Sequence, residues 1–340
     1  MTRMTERRAA IFKPDPFIVA LLVAALLGFL APAMGWFATV VDVLKTAAIT
    51  LLFFLQGVRL QREAVIAGIT HWRLQLLTLA CTFVLFPVTG LALHAVMPHA
   101  LGDSLWAGVL FLCALPSTVQ SSIAFTSVAR GNVSAAVCAA TVSNLLGIVL
   151  TPLLVALLLN MHASASPLEQ IRAITEQLLV PFVLGQVASR WLRPWALRHP
   201  GLLSITDRGS IVLVVYAAFS AAAVAGTWSR VHWSDVLILL GISAGVLALA
   251  LAVTRSASRF AGFGIEDEIA TVFCGSKKSL ATGVPMANVL FSGTVVGLVI
   301  LPVMIFHQLQ LVACAYLARR YADRPLSAEE RLSAQTRTSF

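Results

Sequence analysis

Charge is scarce in this chain. Only 11% of its 340 residues are charged, while 59% are hydrophobic, and the mean hydropathy is +0.88. Soluble domains are about one quarter charged, so a polytopic, all-α membrane protein is expected instead. A Gly-rich phosphate loop, a hydrolase nucleophile elbow and an ATP-binding cassette are also missing. Nucleotide hydrolysis is therefore excluded as the motor, and a gradient must supply any energy required. The five cysteines, Cys81, Cys113, Cys138, Cys274 and Cys314, show no CxxC or Cys/His spacing. They read as small buried apolar residues, not metal ligands. Nor does a nucleophile–base pair or metal constellation mark an intramembrane enzyme. The net charge of +9 does not point to nucleic acid, because Lys and Arg of membrane proteins gather on cytoplasmic loops.

What is present is a series of apolar runs. Runs of about 20 residues mark transmembrane helices. They fall at 17–36, 40–58, 74–97, 104–129, 133–159, 169–191, 209–228, 234–254, 268–290 and 294–318, which makes ten spans. The basic stretch 1–16 lacks a convincing cleavage site, so the first run is read as a span and not a signal peptide. Alternating the loops from the inside places Arg59, Arg62, Arg73, Arg130, Arg190, Arg193, Arg198, Arg208, Arg255 and Arg259 on inner segments. Outside there remains Arg230, with Lys45 and Arg172 counted inside their spans. Both termini are then cytoplasmic, in a plasma (bacterial inner) membrane. Residues 192–208, with Pro194 and Pro200, are expected to be a linker loop, and 321–340 a tail in which Ser327 and Glu330 have capping-box spacing.

Ten spans divide into five plus five. Because five is odd, the second half must run inverted relative to the first, a common plan in secondary transporters. The fourth span carries Leu115-Pro116-Ser117-Thr118-Val119-Gln120-Ser121-Ser122 and the ninth carries Gly275-Ser276-Lys277-Lys278-Ser279, with Thr282, Gly283 and Pro285 beyond. Each is a polar, breaker-containing interruption in the fourth helix of its half, so helices four and nine are expected to be discontinuous. Matching breaks of this kind point to a substrate site. Lys277 and Lys278 cost several kcal/mol at mid-membrane, roughly 2.5–3.5 each on insertion scales. They are expected in a water-accessible cavity, holding an anion or standing in for a coupling cation. Against this stands a lysine that only pairs with backbone carbonyls or snorkels. Ser276, Ser279, Thr118, Gln120, Ser121 and Ser122 would supply hydrogen bonds beside them. Pro116 with its hydroxyl neighbours also fits a simple kink.

Other intramembrane polar groups are Thr82 before Pro87, then Thr141, Ser143 and Asn144, and finally His307, Gln308 and Gln310. Each fits helix–helix glue as well as a binding site, and His307 also fits a proton carrier. Asp42 with Lys45, and Arg172 with Glu176, have helical pairing distances. Asp267 and Glu268 favour the start of a helix electrostatically.

Phe273-Cys274-x-x-x-Lys278-Ser279-Leu280-x-x-Gly283-x-Pro285-Met286, with Ser121-Ser122, Leu146-Gly147-Ile148-Val149 and Thr151-Pro152-Leu153-Leu154, resembles the bile acid:sodium symporter superfamily. The match is to its divergent branch, typified by solute carrier family ten member seven, and extends to about residue 320. The resemblance implies two inverted five-helix repeats within a 17–320 transporter domain. Spans 3–5 and 8–10 would form a core and spans 1, 2, 6 and 7 a panel, with substrate between them. It also implies Na⁺ at Ser121, Ser122, Thr141 and Thr82. Here, however, the span-four asparagine is a serine, the span-five positions correspond to Ala136 and Ala140, and the span-nine carboxylate is replaced at or near Cys274. Lys277 or Lys278 lies close by, and like charges repel strongly in low dielectric. The function implied is secondary transport of a small or amphipathic organic anion. Na⁺ symport, H⁺ coupling, and exchange with a lysine replacing the cation all stand open. So does a non-transporting regulator of ion homeostasis. No cofactor beyond Na⁺ is expected, and the partners expected are the small organic anion and the lipid bilayer, with the oligomeric state left open.

Overall fold

The computed structural model describes residues 16–59, 71–159, 175–291 and 293–325. The basic stretch up to residue 15, Arg62, Arg172 and the Ser327–Glu330 spacing lie outside the described residues. Every described element is helical. In chain order they are α1 (Pro16–Leu30), α2 (Gly35–Arg59), α3 (Trp72–Ala80), α4 (Phe86–Val96), α5 (Asp103–Ala114), α6 (Gln120–Val128) and α7 (Val133–Leu158). There follow α8 (Val180–Arg198), α9 (Pro200–Val224), α10 (Trp233–Phe260), α11 (Ile265–Gly275), α12 (Leu280–Leu290) and α13 (Gly293–Ala322). A π-helical turn, Cys81–Leu85, joins α3 to α4, and another, Thr175–Leu179, leads into α8. Among the described residues, six helical stretches are long and apolar enough to cross a membrane: α2, α3 through α4, α7, α9, α10 and α13. The apolar α1 and α5 are shorter. The protein is thus an integral membrane protein.

Both expected interruptions are present. α5 stops at Ala114 and α6 starts at Gln120; α11 stops at Gly275 and α12 starts at Leu280. Other boundaries differ from expectation. The first helix ends at Leu30, not 36, and the second starts at Gly35, not 40. Pro32 lies between them, and α9 takes over the freed main chain: Ser220 Oγ accepts from the Ala33 N–H at 2.6 Å, and Tyr216 Oη donates to Ala31 O at 3.0 Å. The expected linker 192–208 is not a loop. α8 runs through Pro194 to Arg198, and α9 begins at Pro200, so only His199 separates them. Proline at the first helical position removes an N–H that would have no partner there anyway. Asp207, read as part of the linker, pairs on α9 with Arg59 of α2 at 2.7 Å.

Without a hydrophobic force between helices in lipid, close backbone approach drives packing. Gly57 of α2 and Gly185 of α8 face one another so closely that a Cβ on either would collide with main-chain atoms of the other helix. α1, α2, α8 and α9 pack on one another, chiefly as α2 on α8 and α1 on α9. α13 lies against α5, α9, α10 and α12, while α11 lies against α6, α7 and α10.

One end of this second group is tied by charge. Arg130, in the turn between α6 and α7, donates to the carbonyls of Ala322 and Arg324. Arg324 returns the contact to Ala129 O at 2.5 Å and Arg130 O at 2.8 Å. Glu268 does more than favour its helix start. Its buried carboxylate meets Arg255 at 3.3 Å, Arg259 at 2.9 Å and the Tyr321 hydroxyl at 2.8 Å. The Asp42–Lys45 pair forms as its spacing suggests, at 2.5 Å on an exposed surface.

Candidate functional site

The two unwound segments, Leu115–Val119 and Ser276–Ser279, cross and hold each other. Ser279 N–H donates to Pro116 O at 2.9 Å. Ser117 Oγ donates to Cys274 O at 2.5 Å, and Ser122 Oγ to Phe273 O at 2.9 Å. A helix that ends inside lipid leaves orphan carbonyls, and each must find a donor. These serines supply donors to the last turn of α11. α7 supplies them to the other break. Thr151 Oγ1 donates to Ala114 O at 2.9 Å, and Asn144 Nδ2 to Ser117 O at 2.6 Å. Ser143 Oγ accepts from Ser117 N–H at 3.0 Å. Asn144 also accepts from Thr282 Oγ1 at 2.9 Å, so one side chain joins both breaks. Close approach of α7 is possible because Gly147 faces Pro116, where a Cβ would meet the proline ring.

The lysines complete this set from behind. Lys278 Nζ donates to Thr82 O at 2.8 Å, Cys113 O at 2.9 Å and Leu115 O at 2.7 Å. Lys277 Nζ donates to Ser121 Oγ at 3.2 Å and lies 4.5 Å from the centroid of the Phe125 ring. The peptide of Lys278 is itself clamped by Gln310 of α13, whose Oε1 accepts from Lys278 N–H at 2.8 Å and whose Nε2 donates to Lys278 O at 2.9 Å.

Beside the crossing lies a cavity of about 620 Å³. Thr118, Gln120, Ser121, Thr141, Asn144, Ser279, Thr282 and His307 form one wall. Facing them are Phe17 and Ile18 of α1, Leu52, Gln56 and Arg59 of α2, and Ser204, Asp207, Arg208 and Ile211 of α9. Of the residues expected at a site, six therefore share this wall: Thr118, Gln120, Ser121, Thr141, Asn144 and Ser279. The other five, Thr82, Ser122, Ser276, Lys277 and Lys278, lie behind it, each at most 1% exposed. The expectation of lysines standing in a water-accessible cavity is thus corrected. Their ammonium groups are used up on carbonyls, a hydroxyl and aromatic faces. Thr118 is different. It is 8% exposed, lines the cavity, and its hydroxyl has no hydrogen-bond partner among the described residues.

Sequence reasoning left Gln310 open between helix glue and a binding site, and missed Arg59, Gln56 and Arg208 as cavity residues. A glutamine in an apolar helix was the available signal for Gln310. For the others no local signal exists, since their part in the wall arises from how α2 and α9 pack. Among the described residues no His, Cys, Asp and Glu group could hold a metal ion.

Residues 15–323 match the SBF-like CPA transporter family. The chain is 55% identical over 314 residues to "Uncharacterized protein PA2026" of Pseudomonas aeruginosa, covering 92% of this chain and 94% of that protein. It is 49% identical over 325 residues to "Putative symporter YfeH" of Escherichia coli, covering 96% and 97%. Over 268 residues it is 27% identical to "Sodium/bile acid cotransporter 7" of Rattus norvegicus, covering 78% and 79%.

Proposed function

The chain belongs to the SBF-like CPA transporter family, and on that premise we propose that it is a secondary transporter carrying a small or amphipathic organic anion through the cavity by alternating access. The observation that carries this reading is the make-up of the cavity. Both unwound segments open onto it from one side, and α1, α2 and α9 close it from the other. Its volume of about 620 Å³ falls within the range of about 300–1,000 Å³ usual for small-molecule sites.

The anionic group docks at the first turn of α6. The opening N–H groups of a helix have no internal partners and carry partial positive charge. The buried Thr118 hydroxyl, without a partner among the described residues, adds a donor at that place once its side chain turns to the cavity, and Lys277 lends positive charge through Ser121 from behind. The apolar body of the substrate rests on Phe17, Leu52, Phe125 and Ile211. α1, α2, α8 and α9 act as the panel, and the remaining helices act as the core. In this proposal ten spans form two inverted repeats whose fourth members are α5–α6 and α11–α12. Arg59 and Arg208 mark the cytoplasmic mouth, with both termini on that side.

Uptake of a panel of carboxylated and sulfonated amphiphiles into proteoliposomes tests the proposal, with Na⁺ or H⁺ gradients imposed. Ala124 is exposed and lines the cavity, so Ala124→Trp fills it without disturbing packing. The variant is expected to fold normally and to lose at least nine tenths of the uptake, as an order of magnitude for a blocked site. Undiminished uptake by Ala124→Trp, or silence of the wild type with every anion, overturns the proposal.

A further inference from the structure

Transport through the cavity does not by itself explain the charge at Lys278, which does not line the cavity. Three carbonyl oxygens surround Nζ at 2.7–2.9 Å, and the Phe86 ring covers it with its centroid 4.1 Å away. Three acceptors call for three N–H donors. An ammonium has three, whereas a neutral amine has two and would turn its lone pair on an oxygen. The geometry is therefore that of a cation within a carbonyl shell.

Each of the three carbonyls is available for a reason. In the π-turn, Phe86 N–H reaches back five residues to Cys81 O. The next such bond would run from residue 87 to Thr82 O, but Pro87 has no N–H. Cys113 would bond Ser117 N–H were α5 to continue, but that N–H is turned to Ser143. Leu115 lies past the end of α5. The shell thus stands at the negative end of α5, where a cation is favoured. Among the described residues no carboxylate pairs with Lys278.

We infer that Lys278 is a covalently tethered cation: its ammonium fills a monovalent-cation site built from the Thr82, Cys113 and Leu115 carbonyls. The crossing of the two breaks is then charged and closed without Na⁺. Thr82 and Ser121, two of the residues associated with Na⁺ by resemblance, are already engaged by Lys278 and Lys277. The consequence that uptake needs no Na⁺ rests on the transport reading above; the site itself does not.

The experiment uses the full chain in detergent and two variants, Lys278→Ala and Lys278→Met, melted in propylammonium, sodium or choline chloride at equal ionic strength. Propylammonium is the part of the lysine side chain that Lys278→Ala removes. The wild type is expected to melt alike in all three salts. Lys278→Ala should melt lower and recover saturably in propylammonium, by at least about 3 °C. Lys278→Met fills the volume without charge, so it should melt lower and not recover. Absence of saturable recovery, equal recovery in both variants, or Lys278→Met melting as the wild type does overturns the inference. If Lys278→Ala does not fold, the melting of Lys278→Met decides: lower supports the inference, equal overturns it. In proteoliposomes, wild-type uptake should be unchanged when choline replaces Na⁺, and a Na⁺ requirement overturns the role in transport. Recovery without uptake of any anion would sink the transport reading and leave the cation site standing.

Discussion

Replacing Gln310 by leucine should unlatch the second break. Gln310 is fully buried, and its amide serves both the N–H and the C=O of Lys278, at 2.8 and 2.9 Å. Leucine is close in volume, so the change opens little cavity. What it removes is the partner of two buried main-chain groups, and of the His307 ring nitrogen that Gln310 Nε2 meets at 2.8 Å. An unpaired buried group costs about 1–3 kcal/mol, or about 2–6 for two. Hydrogen bonds inside membrane proteins average nearer 0.6 kcal/mol when measured by cycles, which gives about 1.2 for two. The lower figure reflects partners found elsewhere. Here the Lys278 peptide is walled in by α13 and the break of α5–α6, so replacement partners are scarce. A loss of about 2–4 kcal/mol is expected for Gln310→Leu. Gln308→Leu, on the same helix but half-buried, should change stability by less than about 0.5 kcal/mol. Reversible unfolding in mixed micelles measures both. Equal stability of Gln310→Leu and the wild type would refute the reasoning, because the clamp would then carry nothing.

Two further outcomes follow from packing and from the charged end of the molecule. Gly57→Val sets a branched side chain against the main chain of α8 at Phe182 and Gln186; it should cost about 3 kcal/mol or more by forced separation of α2 and α8, seen as poor yield of folded protein, whereas the neighbouring exposed Leu51→Val should be harmless. Arg324→Ala leaves the Ala129 and Arg130 carbonyls without their guanidinium donors; a loss of about 1–3 kcal/mol is expected, together with earlier proteolysis at the end of α13, and an unchanged melting curve would show that the reciprocal arginine contact is ornamental.

The two helix breaks were legible because proline, glycine and hydroxyl residues gathered where a bilayer permits few of them, at Pro116–Ser122 and Gly275–Ser279. The boundary errors have a common cause. At Pro32 and again at Pro194 and Pro200, hydropathy and local turn chemistry disagreed with the neighbours. α9 satisfies the main chain after α1, and the Arg59–Asp207 pair holds helix where the charges suggested a loop. For the site, six of the eleven polar residues singled out from the sequence line the cavity, while the lysines, expected in it, lie behind its wall. A lysine's charge is visible in one dimension, but the carbonyls that receive it are not, since every residue has one. Which carbonyls are left unpaired depends on Pro87, on the end of α5 and on how α3–α4 lies against the break.

By itself, then, the sequence determined a helical membrane protein with two interrupted spans, because lipid admits polar backbone only where the chain supplies its own partners. Tertiary structure alone decided which groups those partners are. It buried Lys277 and Lys278 behind the cavity wall, brought Arg59 and Arg208 to the cavity lining, and left the Thr118 hydroxyl without a hydrogen-bond partner among the described residues. Contacts between residues more than a hundred positions apart are fixed by packing, which no local pattern records.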